Sequence, residues 1–260
     1  MGAFGLRRSV AWRGFDGAVA SMNVLAIGAH PDDVELGCGG ALLGHVERGD
    51  TVTLLVLTNG ERGVHAGRSR VHEQQRAANL LGAALHWGRF TDGEIPASAH
   101  DLIGKIDDVI AATSADLVYT HSPIDTHQDH RATASATLAG ARRVPSILFY
   151  ETPSTQDFSP AVFVDLSAPL ERKLRLVNAH ESQILRDGPV DVEALTALAR
   201  FRGSQCRLRY AEAFQVSRLL WDLSPGAAMR AANPPLRAVA EQTEAIAERI
   251  THSGAQTLVR

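Results

Sequence analysis

The chain has 260 residues, of which 45% are hydrophobic and 21% charged, so it can bury a large core without disulfide bonds or structural metals. A formal net charge of -3 argues against nucleic-acid binding, and no apolar run reaches the roughly 18 residues that a membrane span requires. The two cysteines, Cys38 and Cys206, are too few for a disulfide framework, which favours a reducing, cytoplasmic location.

The first residues of the chain contain Arg7, Arg8 and Arg13 but no continuous apolar stretch. This composition argues against an export signal and predicts a disordered leader over residues 1–22. The folded domain is predicted to span residues 23–221.

Strands and helices alternate through the first half of the chain. The predicted strands cover residues 23–28, 51–58, 84–87, 116–120 and 146–150, and the predicted helices cover residues 36–48, 69–81, 101–113 and 128–141. This alternation is typical of βαβ units with right-handed crossovers. We therefore predict an α/β, Rossmann-like fold in which a mostly parallel sheet has helices on both faces.

The second half is less regular. Its predicted elements are a strand at 161–166, helices at 170–182 and 192–202, and a short closing element at 210–216. Residues 222–260 are rich in alanine and proline and are predicted to form a helical tail, with one amphipathic helix near residues 236–250. This tail is a candidate contact for a homo-oligomer.

Two polar clusters follow predicted strands. The first is His30-Pro31-Asp32-Asp33, directly after the first strand, and the second is the histidine- and aspartate-rich segment 121–130, directly after the fourth. In open α/β sheets, ligands bind outside the carboxyl ends of the strands. Both clusters therefore belong to the rim of the sheet where chemistry is expected.

The residue types in these clusters suggest a catalytic metal site. His30, Asp33 and His130 would supply two imidazoles and one carboxylate, and catalytic zinc typically has three such ligands and a water whose pKa falls toward about 7. Asp32 would then take a proton from that water. His127 would stabilise the oxyanion or protonate the leaving amine, and Asp129 would orient an imidazole, for which His127 is the preferred candidate.

The sequence also resembles the LmbE/PIG-L family of zinc-dependent N-acetylglucosaminyl deacetylases. The resemblance runs from about Asn23 to Arg218 and is carried by several separated motifs in the family's order. These are Ala29-His30-Pro31-Asp32-Asp33, Thr58-Asn59-Gly60-Glu61, Arg70-x-x-Glu73, His127-x-Asp129-His130, His180-x-Ser182-Gln183 and Tyr210-Ala211-Glu212-Ala213-Phe214. It implies an LmbE-like fold and hydrolysis of an N-acetyl group on a small amino-sugar conjugate.

The family pattern implies the same ligands, with Asp32 as general base and His127 as the partner of the oxyanion, oriented by Asp129. Zn²⁺ is the implied metal, and Fe²⁺ or another divalent ion could use the same ligands. Glu61, Arg70 and Asp92 occupy positions similar to sugar-contacting ones in relatives. Two alternatives stay open here: Arg70 could instead pair with Glu73 on the helix surface, and His180 and Gln183 could line the pocket or only hold their helix on the sheet.

Three other functions compete with this one. Gly37-Cys38-Gly39-Gly40 could suggest a dinucleotide-binding turn, but those glycines come too late after the first strand and are expected to let a helix pack closely on the sheet. An iron(II) oxygenase would use a similar facial triad, usually in a β-barrel. A non-catalytic or differently specific sugar- or amide-binding protein of the same fold is the main alternative, and loss of Asp32 or a ligand would be its signature.

Overall fold

The computed structural model describes residues 21–63, 70–184 and 190–220. The predicted leader, apart from its last two residues, and the predicted tail with its helix at 236–250 lie outside this part of the chain. Within it, no helix is both long enough and apolar enough to cross a membrane.

A seven-stranded sheet forms the centre of the described structure. Its strands are β1 (Asn23–Gly28), β2 (Thr51–Thr58), β3 (Ala84–Phe90), β4 (Leu117–His121), β5 (Ser146–Tyr150), β6 (Val162–Asp165) and β7 (Ala211–Arg218). The order across the sheet is β3-β2-β1-β4-β5-β7-β6. The first five strands are parallel, whereas β7 is antiparallel to both of its neighbours, β5 and β6. The predicted mostly parallel α/β sheet is confirmed.

Helices cover both faces of the sheet. They are α1 (Asp33–Arg48), α2 (Arg70–Leu81), α3 (Ala99–Thr113), α4 (Gln128–Gly140), α5 (Leu170–Val177), α6 (Glu181–Ile184) and α7 (Val192–Gln205), with short 3-10 helices at Glu61–Gly63 and Ile95–Ser98. Side chains of α1, α2 and α5 share one apolar cluster with the sheet, and those of α3 and α4 share another. Burial of these two clusters is the main stabilising contribution to the fold.

Helix α1 packs very closely on the sheet because glycines face it. A Cβ atom on Gly37 would lie only 2.1 Å from Cδ2 of Tyr150, and one on Gly40 would lie 2.1 Å from Cδ2 of Leu166. The Tyr150 hydroxyl, which belongs to β5, donates a hydrogen bond of 2.7 Å to the carbonyl oxygen of Ile27 in β1. The glycines therefore serve the packing role expected from the sequence.

Two element boundaries differ from the sequence prediction in ways that affect the site. Helix α1 begins at Asp33 rather than near residue 36, so the first polar cluster runs directly into its first turn. The helix predicted over 170–182 is broken, because backbone bonds from Ala179 to Leu176 and from His180 to Val177 form a tight turn between α5 and α6. This turn brings α6 to the rim that carries the polar clusters.

Candidate metal and catalytic site

The polar clusters meet where the order of the strands reverses. Strands β1 and β4 are adjacent in the sheet although β2 and β3 lie between them in sequence, and this is the point at which open α/β sheets form a crevice. A cavity of about 420 Å³ opens there. Its described lining includes all the residues predicted as metal ligands, together with Asp32 and His127.

His30, which follows β1, is almost fully buried among carboxylates. Its Nε2 atom lies 3.1 Å from an oxygen of Asp92 and 3.2 Å from an oxygen of Asp129, while Nδ1 lies 3.4 Å from Asp33. Burial alone would lower the pKa of His30, but Asp129, Asp33 and Asp92 together raise it to about 12. A carboxylate behind one ring nitrogen fixes an imidazole so that the other nitrogen can bind a metal.

His130, in the first turn of α4, has the same arrangement. Its Nε2 atom lies 3.4 Å from Oδ1 of Asp33, and its Nδ1 atom lies 3.2 Å from Oδ2 of Asp125. Burial would lower the pKa of His130, but Asp33 and Asp125 raise it to about 9. Asp125 is itself held by hydroxyl groups of Thr152 and Thr155, at 3.2 and 3.0 Å. Asp125 is not among the site residues predicted from the sequence.

Asp33 lies between the two histidines: its Oδ2 atom is 3.4 Å from Nδ1 of His30, and its Oδ1 atom is 3.4 Å from Nε2 of His130. Ligand atoms that are about 2.1 Å from a tetrahedral zinc ion are roughly 3.4 Å from one another. The backbone N–H of His30 also donates to Oδ2 of Asp33 at 2.7 Å. Burial would raise the pKa of Asp33, but His130 and His121 hold it well below its ordinary value, so the carboxylate is ionised.

His121, the last residue of β4, is fully buried beneath this group. Its ring stacks on His130 with 3.9 Å between centroids, and its Nε2 atom lies 3.1 Å from both the backbone nitrogen of Ala29 and Oδ2 of Asp33. Burial lowers the pKa of His121 to about 4, so this imidazole is neutral. Its position within the second polar cluster is visible in the sequence, but its inward direction is not.

In the part of the chain that the structure describes, the candidate ligand atoms form three overlapping groups, in each of which they lie within 4.8 Å of one another. The groups are His30, His127 and His130; Asp33, His121 and His130; and His30, Asp92 and Asp129. The predicted ligands His30 and His130 each occur in two of these groups and Asp33 in one, but none of the three groups contains all three predicted ligands. This combination of imidazole and carboxylate donors suits zinc and other divalent transition metals.

His127 caps the N-terminus of α4 and is half-buried. Its Nδ1 atom accepts a hydrogen bond of 3.2 Å from the backbone N–H of Asp129, so the neutral ring carries its proton on Nε2. Burial and the neighbouring His130 and His30 lower the pKa of His127, which keeps the ring neutral. A neutral N–H donor beside the candidate metal site can bind a developing negative charge.

The carboxylate of Asp129 does not accept the predicted hydrogen bond from the ring of His127. Oδ2 of Asp129 instead lies 3.2 Å from His30 Nε2 and accepts a hydrogen bond of 2.7 Å from the backbone N–H of Gly93. The reason is local geometry: His127 and Asp129 lie at the start of one helix, where the backbone N–H of Asp129 already meets the His127 ring. Asp129 thus orients a predicted metal ligand rather than His127.

Asp32 precedes α1 with a left-handed backbone conformation, φ 94°. Its carboxylate lies 3.2 Å from the Arg70 guanidinium, and its backbone N–H donates to Oε1 of Gln74 at 3.2 Å. Burial, helped by Asp33, raises the pKa of Asp32 to about 6 against the opposing effect of Arg70. A carboxyl group with such a pKa at the edge of a cavity is well suited to accept a proton near neutral pH.

The three predicted sugar contacts occupy different places. Asp92 and Arg70 line the cavity, but Glu61 does not: it is exposed beside a neighbouring groove, and its Oε1 atom accepts the backbone N–H of Asp92 at 2.9 Å. Glu61 thus supports the Asp92 loop, and its contact with a sugar stays a prediction. Its neighbour Arg62 reaches the cavity instead.

The two alternatives left open by the sequence are resolved by the geometry. Arg70 does not pair with Glu73, because Arg70 contacts Asp32 and donates to the carbonyl oxygen of Pro31, while Glu73 accepts hydrogen bonds from Ser182. Gln183 lines the cavity, whereas His180 is fully buried behind it.

Comparison with known proteins agrees with this geometry. Residues 25–141 match a family model described as PIG-L: GlcNAc-PI de-N-acetylase. The chain is 36% identical over 168 residues to Escherichia coli K12 YaiS, named as an uncharacterized deacetylase, covering 61% of this chain and 90% of the relative. It is 31% identical over 220 residues to the diacetylchitobiose deacetylase of Thermococcus kodakarensis, covering 73% of this chain and 80% of that enzyme.

A solved structure shares the fold over nearly its whole length. The conserved protein TT1542 from Thermus thermophilus superposes with a TM-score of 0.71 and 28% identity, covering 78% of this chain and 99% of that one. The family resemblance inferred from the motifs is thus confirmed by sequence and by fold. The chain belongs to the PIG-L (LmbE-like) family, and the curated relatives named above are deacetylases.

Proposed function

We propose that this protein is a divalent-metal hydrolase, with zinc as the preferred metal, that removes an N-acetyl group from a small amino-sugar conjugate. The observation that carries the proposal is the paired arrangement of His30 and His130. Each ring presents one nitrogen to Asp33 at 3.4 Å and the other to a further carboxylate. Such support of both imidazoles is expected of metal ligands and has no purpose in a simple core.

The ligands in this proposal are His30, Asp33 and His130. A divalent cation held by them supplies Lewis-acid chemistry, which polarises an amide carbonyl and lowers the pKa of water. Asp32 accepts the proton of the attacking water, since its pKa is raised and it faces the cavity. His127 donates a hydrogen bond from its Nε2–H to the carbonyl oxygen as negative charge develops there, and the proton taken up by Asp32 passes to the amine nitrogen as the C–N bond breaks.

The substrate class rests on the relatives and on the size of the cavity. The family description and the Thermococcus relative both name N-acetylglucosamine compounds. A volume of about 420 Å³ is within the range of small-molecule sites. Asp92 and Arg62 line the cavity and would contact hydroxyl groups of a sugar bound there.

The test is release of free amine from a panel of acetylated compounds, which includes N,N'-diacetylchitobiose, N-acetylglucosamine glycosides and, as a non-sugar control, N-acetylated amino acids. We expect release from at least one sugar, loss of release with a chelator, and recovery on addition of Zn²⁺. Release that survives complete metal removal would refute the metal-dependent mechanism. A metal-loaded protein that hydrolyses none of the sugars would refute the proposed substrate class and favour the non-catalytic alternative.

A further inference from the structure

Two motifs noted in the sequence meet behind the cavity. Glu73, on α2, accepts hydrogen bonds from both the backbone N–H and the hydroxyl group of Ser182, on α6, at 2.8 and 2.6 Å. Both residues are buried. A buried carboxylate with two such partners fixes the two helices relative to each other.

A chain of buried polar contacts runs from this helix pair to the backbone of Asp32. His180 Nε2 lies 3.3 Å from one oxygen of Glu35, and the other oxygen of Glu35 accepts a hydrogen bond of 2.7 Å from Gln74. Gln74 in turn accepts the backbone N–H of Asp32 at 3.2 Å. Of these four residues only Asp32 lines the cavity, while His180 and Gln74 have no exposed surface.

The chain ends at the one residue of the described site whose backbone is strained. A left-handed conformation costs a residue such as Asp32 about 1–2 kcal/mol. A buried N–H without a partner would cost about 1–3 kcal/mol more, so the bond to Gln74 stabilises this conformation. Because φ of Asp32 sets the direction of its side chain, the same bond directs the carboxylate toward the cavity.

Helix α2 holds Asp32 at a second point. Arg70 lies one turn before Gln74 on the same face of the helix, and its guanidinium contacts the Asp32 carboxylate at 3.2 Å. The backbone and the side chain of Asp32 are thus both fixed by α2, which is itself fixed to α6 through Glu73 and Ser182.

We propose that Gln74 and His180 are positioning residues that act through the chain of contacts to hold Asp32 in its left-handed conformation. The proposal rests on the proposed function, in which Asp32 is the general base. A purely structural network would contribute to stability without altering turnover. A positioning role instead predicts a loss in kcat, because misplacement of a catalytic group by about 1 Å costs about 100-fold in rate.

The first test compares Gln74→Met with Gln75→Met. Gln75 is the next residue of the same helix, but it is exposed and bonds only to the side chain of Asn79 among the described residues. On the sugar that the wild type hydrolyses, we expect Q74M to lose about 10- to 100-fold in kcat, with KM within about twofold and full metal content. Q75M should match the wild type. Equal kcat for both variants would overturn the proposal.

The second test changes His180 instead, so that the proposal can still be tested if the Gln74→Met protein does not fold. His180→Gln keeps a polar group near Glu35 in place of the imidazole, whereas His180→Leu removes the polar contact. We expect H180Q to retain most of the wild-type kcat and H180L to lose about tenfold or more. Equal kcat in these two folded variants would contradict the chain of contacts.

A crystal structure of Q74M separates this inference from the proposed function. In this variant the backbone N–H of Asp32 has lost its acceptor on Gln74, and we expect φ of Asp32 to leave the left-handed region. Retention of φ near 94° would overturn the proposal whatever the activity of the protein. If the wild type hydrolyses none of the sugars but Asp32 is rearranged in Q74M, the proposed deacetylase function is refuted. The inference that Gln74 holds the backbone of Asp32 would still stand.

Discussion

Asp125→Asn tests the candidate metal site through a residue that does not line the cavity. Oδ2 of Asp125 lies 3.2 Å from His130 Nδ1, and Oδ1 accepts the backbone N–H of His127 at 2.8 Å. An asparagine has only one carbonyl oxygen, so one of these two N–H groups must face an amide NH₂ group. Loss of a carboxylate behind a ligating histidine typically costs 10- to 100-fold in metal affinity, and we expect about 30- to 100-fold here.

The loss of metal affinity in the Asp125→Asn variant should depend on pH. Asp125 helps to raise the pKa of His130 to about 9 in the metal-free protein, so at pH 7.5 the wild type must release a proton before His130 can bind metal. The variant has less of this competition, which offsets part of its loss. The deficit in affinity should therefore be larger at pH 9.5 than at pH 7.5.

The assay is competition for Zn²⁺ against a chelating indicator at both pH values, with circular dichroism to verify folding. Asp157→Asn is the matched control: it makes the same change of charge at an exposed residue with φ 48°, a conformation that asparagine adopts readily. A Zn²⁺ affinity of D125N within twofold of that of D157N at pH 9.5 would refute the support of His130 by Asp125.

Three further predictions concern catalysis, protonation and packing. Asp32→Asn should lose about 10²- to 10⁴-fold in kcat and retain its metal, measured by turnover and metal analysis, whereas His130→Ala should lose both. Metal affinity should rise with pH, because the pKa values of His30 and His130 in the metal-free protein are raised to about 12 and about 9, and each ring must lose a proton to bind metal. Calorimetry in two buffers should therefore detect the release of about two protons per metal ion at pH 7. In α1, Gly37→Ala should lower the free energy of unfolding by about 1–3 kcal/mol in urea denaturation, because the new Cβ atom would overlap the buried ring of Tyr150. Gly44→Ala should raise it by about 0.5–1 kcal/mol, because a Cβ atom there would meet nothing within 4 Å.

Each of these predictions has an outcome that contradicts it. Full turnover in D32N would remove Asp32 from its role as base. Metal binding without proton release at pH 7 would contradict either the raised pKa values of His30 and His130 or their role as ligands. A G37A protein as stable as G44A would mean that α1 is less tightly packed on β5 than the contact with Tyr150 indicates.

The sequence predicts the fold well where chemistry and periodicity are local. The strands at 51–58 and 146–150 are predicted to the residue, because uninterrupted runs of β-branched and apolar side chains leave no other place for them. The location of the site is also predictable, since parallel strands that end in polar residues bring them to one rim.

Other features depend on contacts between distant segments and leave no local signal. The predicted partner of Asp129 is wrong because His30, which it contacts, belongs to a different strand end. The break at 178–180 occurs in a segment that is compatible with a helix, and the turn is favoured by the burial of His180 against Glu35 and by the hydrogen bond from Arg76 to the carbonyl oxygen of Ala179. Asp125 has no distinctive spacing from His130, and its role depends on the threonines that follow β5.

The position of β7 has a consequence for how the chain reaches its native state. This strand lies between β5 and β6, although it is the last of the described strands to be synthesised, and β6 pairs with no other described strand of the sheet. Until β7 is made, β5 presents a bare edge of unpaired backbone groups, which is a template for aggregation. Completion of the sheet is therefore a late, long-range event during synthesis. Residues 25–141, which match the family model, lack both β5 and β7 and would leave β4 as a bare edge, so they are not expected to be an independent folding unit.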